Sequence, residues 1–493
     1  MPHNAHNSYD IVILGAGFGG LGMAAQLKMQ GIENFIILER GSRIGGVWRD
    51  NAYPGAACDT ESHLYCYSFY PHLRVSKMYA DRQELLGYMD AMAEHYDLMQ
   101  HIKLESELTQ ARWDESLQQW GFELADGERL QGRFFVPAWG QLNKPAIPRF
   151  KGLDSFAGQY FHSAQWPDDA QLAGKKVASI GAAASAVQYV PEVAKQAAHL
   201  TVFQRSANWI MPRNQIIFSE DQLDAYSAEP DLFHESRRQL HAFRENGFAR
   251  TRHGTDAQQE GIKMASGHLA AQVPDLGLRA KLTPDYEFAC KRILRSDDYY
   301  PALMRSNVSL ETAAVDHFVA EGIVDKNGTL HAFDVVIFGT GFESQAFQGD
   351  LQVLGLDGRT LHDRWQQGAE AYLGMTVPGF PNMFMIYGPN TNLNHNSIIT
   401  MLEIQQRYII QAVQTVAAQA IDVKQEAFDA YNDALQTNMQ SSAFSSDCSS
   451  WYKNAAGKVI NNWSGTVDEY RALASHWRAE DYEVLDVRSE VSA

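Results

Sequence analysis

The chain is 493 residues long, 45% hydrophobic and 20% charged, with a formal net charge of −18. Length and apolar content suit several globular domains, and they exclude a disordered, collagen-like or coiled-coil chain. So acidic a protein is a poor nucleic-acid binder without a local basic cleft, and no apolar run approaches the ~18 residues of a membrane span.

In chain order, Tyr9 to Leu14 is short and almost continuously apolar, which predicts a buried parallel strand. The stretch before it has no basic region of the kind that opens a signal peptide. Gly15-Ala-Gly17-Phe-Gly-Gly20 follows and runs into a segment of helical composition, then a second strand over Phe35 to Leu38 that ends at Glu39. This βαβ unit is the setting that a GxGxxG phosphate loop requires. Gly15 permits the tight turn, Gly17 lets a pyrophosphate approach the backbone, and Gly20 lets helix and strand pack closely. Glu39, nineteen residues after Gly20, is placed for ribose hydroxyls and favours FAD or NAD over a 2′-phosphorylated nucleotide.

The unit recurs. Lys176 to Ile180 predicts a strand, Gly181-Ala-Ala183-Ala-Ser185-Ala186 a second turn, and His199 to Phe203 the next strand. Ala183 puts a methyl group where the first loop has its central glycine. The alternative to a cofactor loop is a plain βα turn. Arg205 stands where the acid would otherwise be, and a cation there suits the 2′-phosphate of NADPH. Asp334 to Phe338 predicts a further strand. Residues 214–288 lack strand signals and predict a helical insertion, and the tail from Glu403 to Gln440 predicts mostly helix. The four cysteines, Cys58, Cys66, Cys290 and Cys448, show neither CxxC nor zinc spacing and make no disulfide framework, so a reducing, cytoplasmic setting is expected.

Two longer patterns carry a family resemblance. Phe156-x-Gly158-x-x-x-His162-x-x-x-Trp166-Pro167 resembles the fingerprint of type I Baeyer–Villiger monooxygenases, within the flavin-containing monooxygenase superfamily. Gly45-Gly-x-Trp48-x-x-x-x-Tyr53-Pro54-Gly55-x-x-x-Asp59 is similar to a second signature of that family. Gly388-Pro-Asn-Thr-Asn392 and Ser450-Trp-Tyr-Lys-Asn454 resemble the hydroxyacetophenone-type branch. The resemblance implies an α/β fold of two Rossmann-like domains, for FAD and NADPH, interrupted by the helical insertion. The FAD domain is expected over residues 1–145 and 339–493, and the NADPH domain over 146–213 and 289–338.

It also implies the chemistry. NADPH reduces the flavin, a peroxyflavin forms with O2, and it attacks a ketone to give an ester or lactone. Arg292 is implied as the catalytic arginine, with Asp59 orienting it beside the flavin. An anion developing in a water-poor pocket needs a permanent cation, and arginine keeps its proton there. Trp48 and Tyr65 are expected near the flavin. Lys291 joins Arg205 and Ser206 at the 2′-phosphate, and Trp451 covers the nicotinamide end. Phe156, Gly158, His162 and Trp166 are implied to link the two nucleotide domains. No metal is expected, because no acid or cysteine cluster at ligand spacing accompanies His162. Alternative readings are a flavin monooxygenase acting on sulfides or amines, and a flavoprotein redox or binding module with NADPH oxidase activity alone.

Overall fold

In the computed structural model, residues 7–345, 347–416 and 418–486 are described. The opening residues on which the signal-peptide reading partly rests, 1–6, lie outside them.

Two sheets organise the chain, the first mixed and the second wholly parallel. The first has seven strands in the order Gln352–Leu354, Leu108–Asp114, Gln119–Leu124, Arg129–Pro137, Ser8–Leu14, Phe35–Leu38 and Ile102–Lys103. Ser8–Leu14 is central and pairs in parallel with strands on both sides. Ile11, Val12 and Ile13 are wholly buried, as a strand covered on both faces requires. The second sheet has five strands, Val308–Glu311, His199–Phe203, Lys176–Ile180, Val335–Phe338 and Gln159–His162, and every pairing is parallel.

Each glycine turn leads into a helix, Phe18–Met29 after the first and Ala184–Gln196 after the second. Between the strand Ile210–Met211 and its partner Leu294–Arg295 the chain forms helices Glu220–Ala228, Pro230–Asn246, Asp256–Gln272 and Leu276–Lys281. No helix of the described residues is long and apolar enough to cross a membrane.

The C-terminal tail departs from the mostly helical expectation. Helices Ile398–Val416 and Gln425–Met439 are separated by a buried strand, Ala420–Val423, paired antiparallel with Tyr482–Leu485. Four residues are too few for a period-2 pattern to show, and the partner lies about sixty residues on. A second departure is covalent. Cys290 and Cys448 are joined in a disulfide, with Cα atoms 6.4 Å apart, while Cys58 and Cys66 are free and buried. The expectation of thiols throughout therefore fails at this pair. A bridge between residues 158 apart leaves no spacing signal, because the fold alone brings the two together.

The Phe156–Trp166 fingerprint wraps the edge strand Gln159–His162 of the second sheet. Phe156 packs on Phe318, and Trp166 meets Phe161 edge-on at 5.1 Å and Tyr189 at 5.7 Å. His162 is wholly buried, with Nδ1 accepting from the Ala164 N–H at 3.1 Å. A Cβ at Gly158 would lie 2.5 Å from both the Asp334 carbonyl oxygen and the Phe156 ring. Gly158→Ala should therefore destabilise the protein by about 1–3 kcal/mol through overpacking, without lowering its FAD content. Urea unfolding, alongside the flavin absorbance of the purified protein, checks this.

Candidate active site

A cleft of about 1780 Å³ runs along the carboxyl ends of the central strands of both sheets. That is where open α/β sheets bind nucleotides. Both glycine loops border it, as do Trp48, Asp59, Tyr65, Arg292 and Trp451.

The two loops have nearly the same backbone. Gly15 and Gly181 sit at φ +101° and +108°, which an L side chain rarely adopts, and a Cβ at Gly181 would lie 2.3 Å from the Gly339 oxygen. Gly20 and Ala186 serve the packing of helix on strand instead: a Cβ at Gly20 would lie 1.9 Å from the Gly15 oxygen, and Ala186 is fully buried. The middle positions differ in kind. A Cβ at Gly17 would meet only Gly46, at an ordinary 3.6 Å, so the protein itself leaves room for a side chain there. Glycine keeps that space free on the cleft side, as a closely approaching pyrophosphate requires. Ala183 holds φ −88° and ψ −160°, against −86° and −168° at Gly17. The second turn has therefore not shifted to suit its alanine, and the methyl is exposed at the cleft.

Glu39 is buried at the base of the first loop. Its carboxylate accepts from the Ala16 N–H at 2.8 Å, the Gly41 N–H at 2.7 Å and Arg49 Nη1 at 2.7 Å. Three donors leave capacity for a ribose hydroxyl. Arg49 is a site residue that the sequence reading missed; it follows Trp48, but no spacing rule ties it to Glu39. Trp48 Nε1 donates to the Tyr65 hydroxyl at 3.2 Å, which fixes both rings at the cleft wall.

On the second loop's side, Lys291 Nζ donates to Ser206 Oγ at 3.0 Å and lies 4.2 Å from the centre of the Tyr286 ring. Burial and the neighbouring Arg205 cation pull the Lys291 pKa down. Two like charges held together in this way favour an anion between them. Ser185 lines the cleft beside them.

In the same cleft, Arg292 Nη2 donates to both oxygens of Asp59, at 2.8 and 2.6 Å. The two side chains retain 31% and 27% exposure, so the pair faces the cleft rather than the core. Asp59 raises the Arg292 pKa further. Burial works against the Asp59 charge, but the Arg292 guanidinium outweighs it and holds the carboxyl below the usual range. Among the described residues, Arg292 hydrogen-bonds only to Asp59 and only through Nη2. Its Nε and Nη1 hydrogens remain available to an anion.

The sequence also gave no sign of what stands behind this pair. Arg244, from the helical insertion, bonds Glu61 at 2.7 Å and reaches the Asp59 carbonyl at 3.4 Å, while Arg213 reaches the Cys58 carbonyl at 3.3 Å. Cys58 is buried, and burial pushes its thiol pKa up, which suits a packing residue rather than a nucleophile. Asn394 is tied through Oδ1 to the Tyr452 hydroxyl at 2.6 Å.

Known proteins resemble the chain over nearly all of its length. The Flavin-binding monooxygenase-like family matches residues 8–220. A Baeyer–Villiger monooxygenase of Pseudomonas aeruginosa is 38% identical across 96% of this chain and 90% of its own. The chain belongs to the Baeyer–Villiger monooxygenase family. A second relative of that name, from Streptomyces coelicolor, is 37% identical across 97% of this chain and 93% of its own. Among solved structures, a steroid monooxygenase bound to NADP aligns with TM-score 0.87 and 28% identity, over 97% of this chain and 99% of its own. A cyclohexanone monooxygenase from Rhodococcus, bound to NADP+, gives 0.86 and 26% over the same shares.

The matched backbones at Gly17 and Ala183 make a reciprocal prediction. Gly17→Ala should leave the melting temperature of the FAD-free protein nearly unchanged yet loosen FAD. Ala183→Gly should tighten NADP+ modestly and leave the flavin spectrum alone. Flavin stoichiometry and NADP+ titration of the oxidised protein measure both.

Proposed function

We propose that this chain is an FAD- and NADPH-dependent Baeyer–Villiger monooxygenase that inserts one oxygen atom from O2 beside a ketone carbonyl, giving an ester or lactone. The observation that carries this reading is the Arg292–Asp59 pair, open to the same cleft that both phosphate loops border. The FAD domain is assigned to residues 1–145 and 339–493, and the NADPH domain to 146–213 and 289–338. NADPH is regenerated in the cytoplasm, and we put the enzyme there.

The residues present fit both cofactors. Gly15, Gly17 and Glu39 would hold the FAD pyrophosphate and ribose, with Trp48 and Tyr65 at the cleft wall. Gly181, Ala183 and Ser185 would face the NADPH pyrophosphate, Arg205, Lys291 and Ser206 its 2′-phosphate, and Trp451 its nicotinamide side. When bound, reduced flavin activates O2 and supplies one oxygen atom to the substrate, while the other leaves as water.

The protein's own share is electrostatic. Arg292 offers a cation that cannot lose its proton, with N–H donors left over to stabilise negative charge developing on an oxygen in the cleft. Asp59 keeps the guanidinium in place and spares it reorganisation as that charge appears. Oxygenation of a sulfide or amine develops no such anion and needs no fixed cation, and an NADPH oxidase needs neither. The ion pair therefore favours a ketone as substrate.

Arg292→Ala should lower ester formation by about 10²–10³-fold, the usual cost of losing one such donor. Flavin reduction by NADPH should persist in part. Ester and hydrogen peroxide, quantified together over a ketone panel, give the result; near wild-type ester formation would discard the mechanism. Arg205→Ala should raise KM for NADPH and leave that for NADH nearly unchanged, as steady-state kinetics with each cofactor would report. Equal weakening of both would assign Arg205 to the fold instead.

A further inference from the structure

We propose that Cys290 and Cys448 form a redox-modification site, a thiol pair that hydroperoxide oxidises to a disulfide fastening one wall of the cofactor cleft to the other. The inference rests on the reading of this cleft as the NADPH site.

The placement of the two residues carries the argument. Cys290 immediately precedes Lys291 and Arg292, which line the cleft. Cys448 immediately precedes Ser449, Ser450 and Trp451, which line it from the C-terminal segment. The bond therefore spans the two segments between which NADP must enter and leave. Without it, residues 445–451, none of them buried, are held to the helical insertion by polar contacts, Ser445 Oγ with His253 Nε2 at 3.3 Å and Ser446 with Glu287, whereas the flanking Ala443, Phe444 and Tyr452 are anchored in apolar clusters. Few apolar contacts and many hydrogen bonds reachable by water mark a segment that opens at low cost.

The two sulfurs differ in access. Cys290 is wholly buried, whereas Cys448 is half-buried in the serine-rich loop. Cys448 is therefore the peroxide-reactive sulfur and Cys290 the resolving one. The Cys448 thiolate attacks one oxygen of H2O2, breaking the O–O bond to give a sulfenic acid and hydroxide. The Cys290 sulfur then displaces that hydroxyl, and its proton leaves with it as water. In sum, two thiols and H2O2 give a disulfide and two waters.

The cleft can supply its own oxidant. NADPH oxidation without oxygen transfer converts NADPH, H+ and O2 to NADP+ and H2O2. Turnover without substrate would thus close the clasp, hold NADP+ in place and slow further waste of NADPH. A dithiol reductant would reopen it.

The test uses the FAD-loaded full chain, wild type and Cys448→Ser, each treated with H2O2 or with a phosphine reductant. Alkylation followed by peptide mass mapping reports the bond, hydrogen exchange over residues 445–451 reports the clasp, and rapid displacement reports NADP+ release. Peroxide should join Cys290 to Cys448 in wild type, protect residues 445–451 and slow NADP+ release about tenfold, since tuning of this kind acts mainly on dissociation. Cys448→Ser should behave as reduced wild type under both treatments. Both thiols remaining alkylatable after peroxide, or equal exchange in the two redox states, would overturn the proposal. So would equal NADP+ release from the two forms. Failure of every form to bind NADP+ would instead count against the NADPH site, and the exchange result, which needs no cofactor, would still judge the clasp.

Discussion

A cation that must face an open cleft and still point in one direction needs an anion to hold it, and the Arg292–Asp59 pair meets that need across 233 residues of sequence. Arg292 follows the helical insertion, while Asp59 follows the first βαβ unit, so the pair forms only when both sheets and the insertion are in place. Partly desolvated charges are costly unless fully partnered. The chain answers with further layers: Arg244 is paired to Glu61 and reaches the Asp59 carbonyl, and Arg213 reaches the carbonyl of Cys58. Arg244 and Arg295 join Arg292 in holding the Asp59 carboxylate ionised. Cations thus outnumber the acids Asp59 and Glu61 around the site, in a protein whose overall charge is −18. That local inversion is what an anion-stabilising pocket requires, and the acidic exterior hides it from any reading of composition.

The two phosphate loops show one backbone serving two purposes. Gly17 and Ala183 take nearly the same torsions, so the difference between them is a single methyl group at the position proposed to lie closest to a pyrophosphate. A cofactor that stays through many turnovers gains from the tighter contact. One that must arrive and leave each cycle does not, and the alanine fits that role. Glu39 and Arg205 repeat the contrast at the ends of the following strands, one a buried acid and the other an exposed cation, as their proposed ribose and phosphate partners would require.

Much of this was legible in the sequence because the phosphate loops are local. Strand, turn, helix and strand lie within about thirty residues, and each carries a signal of its own: a buried apolar run, a glycine turn, or a residue after the strand. The strands Phe35–Leu38, Lys176–Ile180 and His199–Phe203 fall where those signals put them. What depended on distant partners was hidden. The antiparallel meander over Leu108 to Pro137, which extends the first sheet, is an omission of another kind, because Gln119–Leu124 alternates half-buried and buried residues in plain period-2 order. The Ala420–Val423 strand exists because Tyr482–Leu485 covers it, and the disulfide exists because two remote loops meet. Arg49, Arg244 and Glu61 were invisible for the same reason: a charged residue announces a charge but not its partner.

The fingerprint around Trp166 shows how a pattern can be diagnostic without touching the chemistry. A sheet edge presents unpaired backbone groups and must be covered or turned away. Here the fingerprint aromatics flank that edge strand, Gly158 lets it approach Asp334 closely, and His162 buries its ring at the strand's end with Nδ1 satisfied by the following turn. Burial pulls the His162 pKa below its ordinary value, which favours the neutral ring of a packing residue. None of these four side chains is among those lining the cleft, although Ala164 and Gln165, on the same short segment, are. The spacing is therefore fixed by the need to end one sheet and hand the chain to the cleft at a defined point. Any enzyme that keeps two nucleotide sites in register across that handover must keep the corner rigid.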